Sequence, residues 1–361
     1  MTTSRAPVFA FQVAPVSGGA ESDKFLYDSA LEDARLGHAL GFSVAWIIEH
    51  HFTDYYPTPN PLVMLSHIAA ACPGLGLGTS VMVLPWYNPL RFAEDVAMLQ
   101  TLSKADLHIG IGRGTAKLEY DAFGVDMTEA RERFRESWEI IRTALKGEPF
   151  SYKGKYLSVD KELLLRPVLS GRKPNFYGAI GSPQSAAIMA DLDLAPIGLA
   201  QFPERILRSV MDNWRARRVE LGCSPAAEVP ILVQCYIADS DEEARAQARQ
   251  YLPLYFKKQV EHYEILKDPW KDTEGYEQFS RMFSTLLKLS NSTDIDAFLD
   301  MNAIGSPATV ERRIRELMDI GFNHFLMTNS TPGVPKHVRH SMLKRLASDV
   351  MPRFSSRSKA A

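Results

Sequence analysis

A chain of 361 residues with 45% apolar and 23% charged side chains can bury a large core and has the composition of a globular protein. A formal net charge of −2 gives no electrostatic ground for a nucleic-acid or anionic-membrane partner. Cys72, Cys223 and Cys235 are scattered without CxxC spacing, which argues for free thiols in a reducing compartment and against a disulfide frame or zinc knuckle.

The opening "MTTSRAPVFAFQVAP" carries no secretory apolar core, and no stretch is long and apolar enough to span a bilayer, so a cytoplasmic location is expected. From there short apolar runs alternate with longer helical patterns. "VFAFQVA" (8–14) precedes a helical stretch ending near Gly41, and "SVAWIIE" (43–49) precedes "NPLVMLSHIAAAC" (60–72). "LGLGTSVMVLP" (75–85) is followed by "NPLRFAEDVAMLQTLS" (88–103). There Asn88 reads as an N-cap, Pro89 as the first helical residue, and Phe92, Val96 and Leu99 as one face. "DLHIGIG" (106–112) leads to "TEARERFRESWEIIRTALKG", with Ala130, Phe134, Ile141 and Leu145 as the stripe and Gly147 as the stop. Further strands read at "NFYGAIG" (175–181), "LAPIGLA" (194–200) and "VPILVQCYIA" (229–238), each trailed by a helical pattern. The last, "FNHFLMTN" (322–329), follows "SPATVERRIRELMDIG", whose Val310, Ile314, Leu317 and Met318 face inward.

Eight strand–helix units with continuously apolar strands imply parallel strands covered on both faces. Eight units close a (β/α)8 TIM barrel, so a single domain over 1–361 is expected. Such a barrel needs roughly 250 residues, which leaves on the order of a hundred for insertions. Residues 148–174, after strand four, read as a hairpin-like insertion. Residues 251–303, after strand seven, are rich in aromatics, Met and charge and read as a lid.

Neither "GLGLG" (74–78) nor "GIGRG" (110–114) has Rossmann or P-loop spacing. Arg113, between glycines where strand four should end, is either a surface arginine or an anion ligand. At the C-terminal strand ends a barrel gathers its site, and there backbone N–H groups and a guanidinium fork can approach a phosphate together. Ser182 and Ser185 in "GSPQS" (181–185) bracket the first turn of the following helix, where the dipole favours an anion and where plain N-capping is the simpler use. Glu49, His50 and His51 end the second strand. Alternation sets Glu49 and His51 opposite His50, so the triplet diverges, and with no H-x-H or H-E-x-x-H pattern no metal site is expected. An acid–base imidazole at the barrel mouth and a hydrogen-bonded polar strand end both fit His50. Tyr55, Tyr56, Trp86 and Tyr87 follow strand ends, where they would line an aromatic entrance or pack the rim.

"WIIEHHFTDYYPTPNPLVMLSHIAAA", "LGTSVMVLPWYNPLRFAEDVAMLQTLS" and "GIGRGTAKLEYDAFGVD" together resemble the bacterial luciferase-like flavin-dependent monooxygenases, in particular the catalytic α subunit of bacterial luciferase. The resemblance is densest over 43–145 and continues through "GSPQS", "GSPATVERRI" and "SDVMP". It implies a (β/α)8 enzyme that takes reduced FMN (FMNH2) from a separate NAD(P)H-dependent flavin reductase. Reaction with O2 would give a flavin hydroperoxide that inserts one oxygen atom into an apolar organic substrate. By motif, His50 matches the catalytic histidine, and Arg113 with Gly114 matches the FMN-phosphate arginine loop. Ser182 and Ser185 match the phosphate-binding loop after strand five, and Ser80 and Val81 match a pair that forms a non-prolyl cis peptide against the flavin ring. His51 and Glu94 match positions at the luciferase subunit interface, implying a homo- or heterodimer packed through the second and third helices. Residues 268–300 match a mobile loop; there "GYEQFSRMFSTLLKL", with Phe283, is amphipathic enough to close over substrate, and Tyr55 and Trp86 join the substrate side. Such a site must keep out water and stray protons.

The sequence departs from the luciferase pattern at Gly112, where a cysteine is usual, and at Gly181, where the phosphate loop has an acidic residue. No cluster for binding a sulfonate stands out. Three alternatives remain open to the sequence: a deazaflavin-dependent oxidoreductase passing hydride on the same fold, a non-catalytic partner subunit, and a metal-dependent barrel hydrolase. "EHHF" and "GRG" weigh against the second of these. Substrate identity and light emission are not legible.

Overall fold

Helices here begin where an oxygen-bearing side chain can satisfy amides that the first turn leaves unpaired. Ser22 accepts from Phe25 N, Asn60 from Val63 N, and Asn88 from both Leu90 N and Arg91 N. Pro61 and Pro89, which have no N–H to lose, occupy the first helical positions. The computed structural model describes residues 6–16, 18–180, 182–271, 273, 276–290 and 295–355. Gly181 and parts of the 251–303 segment (272, 274–275 and 291–294) lie outside them.

In chain order the elements are β1 (Val8–Gln12), α1 (Asp23–Ala39), β2 (Val44–Ile47), α2 (Pro61–Ala71), β3 (Gly76–Val83), α3 (Pro89–Leu102), β4 (Leu107–Gly112), α4 (Lys117–Phe123) and α5 (Ala130–Ala144). Then come β5 (Phe150–Lys153), β6 (Ser158–Leu163), β7 (Asn175–Ala179), α6 (Pro183–Asp191), β8 (Ala195–Leu199), α7 (Glu204–Glu220), β9 (Pro230–Ile237) and α8 (Asp241–His262). The rest holds α9 (Glu277–Ser290), α10 (Asp296–Met301), β10 (Ala303–Gly305), α11 (Pro307–Ile320), β11 (His324–Thr328), α12 (Lys336–Arg345) and α13 (Pro352–Ser355).

β1, β2, β3, β4, β7, β8, β9 and β11 alternate with helices in the pattern of a (β/α)8 barrel. β2, β4 and β11 are buried at every residue, as strands covered on both faces must be. Two short elements were not expected from the sequence: α4, inside "GTAKLEYDAFGVD", and β10, which adds to β9. Helix α8 runs through Pro253 to His262, so the 251–303 segment begins inside a helix. No helix among the described residues is long and apolar enough to cross a membrane.

The chain forms two compact units. The first comprises 1–46, 177–255 and 292–361. In it β1 pairs in parallel with β2 and β11, β9 with β8, β10 and β11, and β7 with β8. Its core is aromatic and branched: Phe11, Trp46, Phe322, Phe325 and Ile231 are fully buried. Two polar clusters inside it are matched. Trp46 Nε1 donates to His324 Nε2 at 3.0 Å, and Glu228 meets His324 Nδ1 at 2.7 Å and Tyr177 Oη at 3.0 Å. Asp33, on α1, takes Arg339 Nε at 2.7 Å and His340 Nε2 at 2.9 Å, which ties α12 to α1.

The second unit comprises 47–176 and 256–291. β3 and β4 run parallel, with a register break between Thr79 and Met82. Residues 150–163 form an antiparallel hairpin of β5 and β6. Its turn is gripped by Glu136, 2% exposed, whose carboxylate accepts the successive N–H groups of Lys155, Tyr156 and Leu157 at 2.7–3.0 Å.

Arg339 and Asp33 are both nearly solvent-free, so removing one partner strands a buried charge. Arg339→Ala is expected to lower the unfolding free energy by about 3–5 kcal/mol in urea titrations. A loss below about 1 kcal/mol would mean that His340 alone satisfies Asp33.

Candidate active site

The second strand stops at Ile47, so Glu49, His50 and His51 lie on the turn beyond it rather than on a strand. The separation that alternation suggested nevertheless holds, through hydrogen bonds instead of pleat. Glu49, 2% exposed, turns to the end of β3, where Oε2 accepts Val83 N at 3.1 Å and Oε1 accepts Trp86 Nε1 at 3.0 Å. His51 Nε2 reaches the same Oε1 at 3.0 Å. Burial pushes the Glu49 carboxyl up, opposed by its bonds to His51, Trp86 and Val83. Only a tight bend lets His50 point elsewhere. Phe52 and Tyr56 accordingly take left-handed backbone angles (φ 65° and 53°), and His50 closes the loop by a bridge to Thr58.

His50 is buried, and neither ring nitrogen hydrogen-bonds any described residue. Its surroundings were not foreseen from the sequence. Glu119, on α4, accepts His51 N at 2.8 Å, and the same oxygen lies 3.5 Å from His50 Nδ1 and 3.4 Å from His262 Nε2. His262 ends α8, and its ring stands edge-on to that of His50 with centroids 4.5 Å apart. Thr53 Oγ1 holds His262 Nδ1 at 2.8 Å. Burial, and then repulsion from His262, push the His50 ring down to about 4, against the pull of Glu119. Burial alone would raise Glu119, but the nearby His262 and His50 rings bring its carboxyl down to about 2. At neutral pH the cluster therefore holds an ionised carboxylate beside an uncharged His50 ring, a base with its lone pair available.

At the ends of β3 and β4 the chain is shaped for close approach. The Ser80–Val81 peptide is cis, and Ser80 Oγ is buried without a partner among the described residues. Gly114 has φ 72°, and a Cβ there would lie 2.6 Å from Val83 Cγ1. The side chain of the half-buried Arg113 makes no hydrogen bond or ion pair with a described residue; its guanidinium lies 5.0 Å over the Tyr276 ring. The backbone of this turn is fastened from outside. Tyr120 Oη donates to Arg113 O, Tyr276 Oη to Gly114 O at 3.2 Å, and Trp270 Nε1 to Thr115 O at 2.8 Å.

The remaining expected residues are placed as follows. Tyr55 is buried, its ring centroid 4.8 Å from that of His50 and its Oη bonded by Gln259 Nε2 at 2.9 Å. Trp86 stacks on Phe123, and Phe283 stacks on Trp270 at 4.4 Å and meets Tyr263 at 5.0 Å. Glu94 is partly exposed and pairs with Arg91 at 3.1 Å. Ser182 and Ser185 lie in the first unit, where Ser182 caps α6 by accepting Ser185 N and the two hydroxyls bond at 2.9 Å. Every other residue in this account belongs to the second unit.

Comparison with known proteins bears on the family and the fold. A family model described as luciferase-like monooxygenase matches residues 6–324. The oxygenase component of a flavin-dependent trigonelline monooxygenase from Acinetobacter baylyi is 25% identical, over 93% of this chain and 92% of its own length. The alkanal monooxygenase alpha chain of the Kryptophanaron alfredi symbiont is 28% identical, over 88% and 90%. An uncharacterised protein of Sinorhizobium fredii is 32% identical, over 49% of this chain and 50% of its own. Solved structures share the barrel at low identity. A Streptomyces bottropensis monooxygenase superposes with TM-score 0.78 at 20% identity, covering 96% of this chain and 99% of its own. The oxygenating constituent of 3,6-diketocamphane monooxygenase from Pseudomonas putida, in complex with FMN, gives 0.76 at 19%, covering 97% and 99%. An F420-dependent secondary alcohol dehydrogenase gives 0.74 at 15%, covering 96% and 98%.

The electrostatics of the cluster imply an acid-labile protein. Between the ordinary imidazole value of 6.5 and about 4, an unfolded His50 binds a proton that the folded ring refuses, so stability falls as pH drops through that window. Glu119, depressed from 4.5 to about 2, extends the loss to lower pH. His50→Gln is expected to flatten unfolding free energy against pH in the upper window and leave the lower one intact. Urea titrations at a series of pH values that show no flattening would refute the neutral, buried imidazole.

Proposed function

The chain belongs to the luciferase-like monooxygenase family, and from that premise we propose that it is the oxygenase component of a two-component, FMN-dependent monooxygenase. It would receive FMNH2 from a separate NAD(P)H-dependent reductase and use O2 to oxygenate a small apolar organic substrate. The observation that carries this reading is His50: a buried, uncharged imidazole with unengaged nitrogens, at the turn beyond a barrel strand.

The residues present fit a flat anionic cofactor. Ser80 Oγ is a buried polar atom without a partner among the described residues, and the Arg113 guanidinium has no carboxylate of its own among them; Gly114, where a Cβ would clash with Val83, lets this turn close on β3. Arg113 is assigned the FMN phosphate as a bidentate, charge-assisted donor. Ser182 and Ser185 are assigned a phosphate-binding role of their own, through their hydroxyls and the first-turn amides of α6. Ser80 and Val81 are assigned the ring system. Reduced FMN would supply the two electrons with which one atom of O2 enters the substrate and the other leaves as water. His50 Nε2 accepts or returns the proton this demands, while Tyr55, Trp86 and Phe283 keep the surroundings poor in water. Aromatic walls of this kind favour an apolar substrate.

A dimer packed through α2 and α3 belongs to the same reading. Val63, Met98 and Leu102 are apolar and 56–66% exposed on these helices. His51 is buried against Glu49, so its neighbour Phe52, 61% exposed, would make the contact there, with Glu94 at the rim.

Arg113→Ala is expected to weaken FMN binding by about 1.5–3 kcal/mol in a fluorescence titration. Wild-type affinity would refute the phosphate assignment. His50→Ala is expected to bind FMN yet lose most product when a flavin reductase, NADH and a panel of apolar substrates are supplied and products are read by mass spectrometry. Undiminished yield would remove His50 from the chemistry. Parallel titration with a reduced deazaflavin decides against this cofactor assignment if only the deazaflavin binds.

A further inference from the structure

His262 is fully buried, stands against His50, and has no part in the reading above. Thr53 Oγ1 accepts Tyr55 N at 3.3 Å and lies 2.8 Å from His262 Nδ1. With an amide on its lone pair, that hydroxyl can give its own hydrogen to Nδ1. In that tautomer the ring hydrogen of His262 sits on Nε2, which faces Glu119 Oε1 at 3.4 Å. The same oxygen already takes His51 N at 2.8 Å and faces His50 Nδ1 at 3.5 Å. Three donors thus converge on one carboxylate oxygen. One is bonded, and both imidazoles stand just beyond ordinary hydrogen-bond length. An sp2 oxygen has two lone pairs, so after the amide one remains for two rings.

We infer that His262 is a positioning residue for His50, competing for Glu119 Oε1 so that His50 is held uncharged, with its proton on Nδ1 and its lone pair on Nε2. The inference rests on the monooxygenase reading of His50. Without His262, His50 would claim Glu119 outright and bind a proton more readily, which would place an acid where a base is wanted. The titratable groups facing His50 are Glu119 from α4, His262 and Tyr263 from the end of α8, and Tyr55, Tyr56 and His51 from its own loop. Its two anchors therefore come from widely separated parts of the second unit.

The test is an NMR titration of the labelled His50 imidazole in flavin-free protein. In wild type the ring should titrate far below an ordinary histidine. His262→Leu should raise the midpoint by about one pH unit or more, and the acidic limb of product yield should move the same way. His262→Gln, which keeps an N–H near Nε2, should restore the low midpoint. In a Glu119→Gln background, His262→Leu should move it far less, because the contested oxygen no longer carries charge. An unchanged midpoint in His262→Leu overturns the inference, and a full-sized shift without Glu119 overturns the route through it. If His262→Leu does not fold, Thr53→Val removes only the hydroxyl at Nδ1 and must raise the midpoint. The ligand atoms of His50, Glu119 and His262 lie within 4.8 Å of one another, a spacing that also suits a divalent cation. Stoichiometric metal in purified wild type, absent from His262→Gln, would overturn the proton-holding account. A shifted midpoint in a protein that oxygenates nothing would sink the monooxygenase reading instead, and leave this one standing.

Discussion

A carboxyl group taken out of water must find hydrogen-bond partners, and at the end of β2 the chain is bent to surround two of them. Glu49 and Glu119 are each 2% exposed. Between them they take the amides of Val83 and His51, the indole of Trp86 and the approach of three imidazoles. The left-handed residues Phe52 and Tyr56 are tolerated because a straighter loop would leave these oxygens unpaired. Secondary structure gives way to side-chain hydrogen bonding here, and that exchange sets His50 apart from its neighbours.

The same desolvation that makes the carboxylates demanding makes His50 useful. In water its ring would be half charged near pH 6.5; among Tyr55, Tyr56, His262 and Tyr263 it stays neutral. Strand ends elsewhere in this unit keep space rather than charge. Gly114, the Ser80–Val81 peptide and the tyrosine-fastened Arg113 turn present backbone and one cation to whatever lies against them. Base and cradle follow from opposite uses of burial: one group stripped of water, the other stripped of side chain.

Local signals were the most legible in the sequence. The Asn88–Pro89 start of α3, the Pro61 start of α2 and the fully apolar strands follow from rules that act within a few residues. Helix α4 and strand β10 were not legible, being too short to show a period. The end of β2 was placed two residues late because Ile48 continues its apolar run up to Glu49, whereas the hydrogen bonds made just beyond it come from β3 and α4. His50 and Arg113 stood out by type and by resemblance. Glu119 and His262 did not. Glu119 is 68 positions from His51 and His262 is 209 from Thr53, and nothing local to either announces a partner.

Glu136 grips the β5–β6 turn by three backbone amides and by no side chain of the turn itself. An anchor of that kind is indifferent to what the turn spells. The hairpin is in this sense a module socketed by its tip: the side chains at 155–157 can change while their amides stay seated. The socket, in contrast, tolerates no substitute for its carboxylate. Variation among related chains should therefore gather in residues 155–157 and spare position 136, and a foreign loop grafted there would leave the rest of the second unit undisturbed.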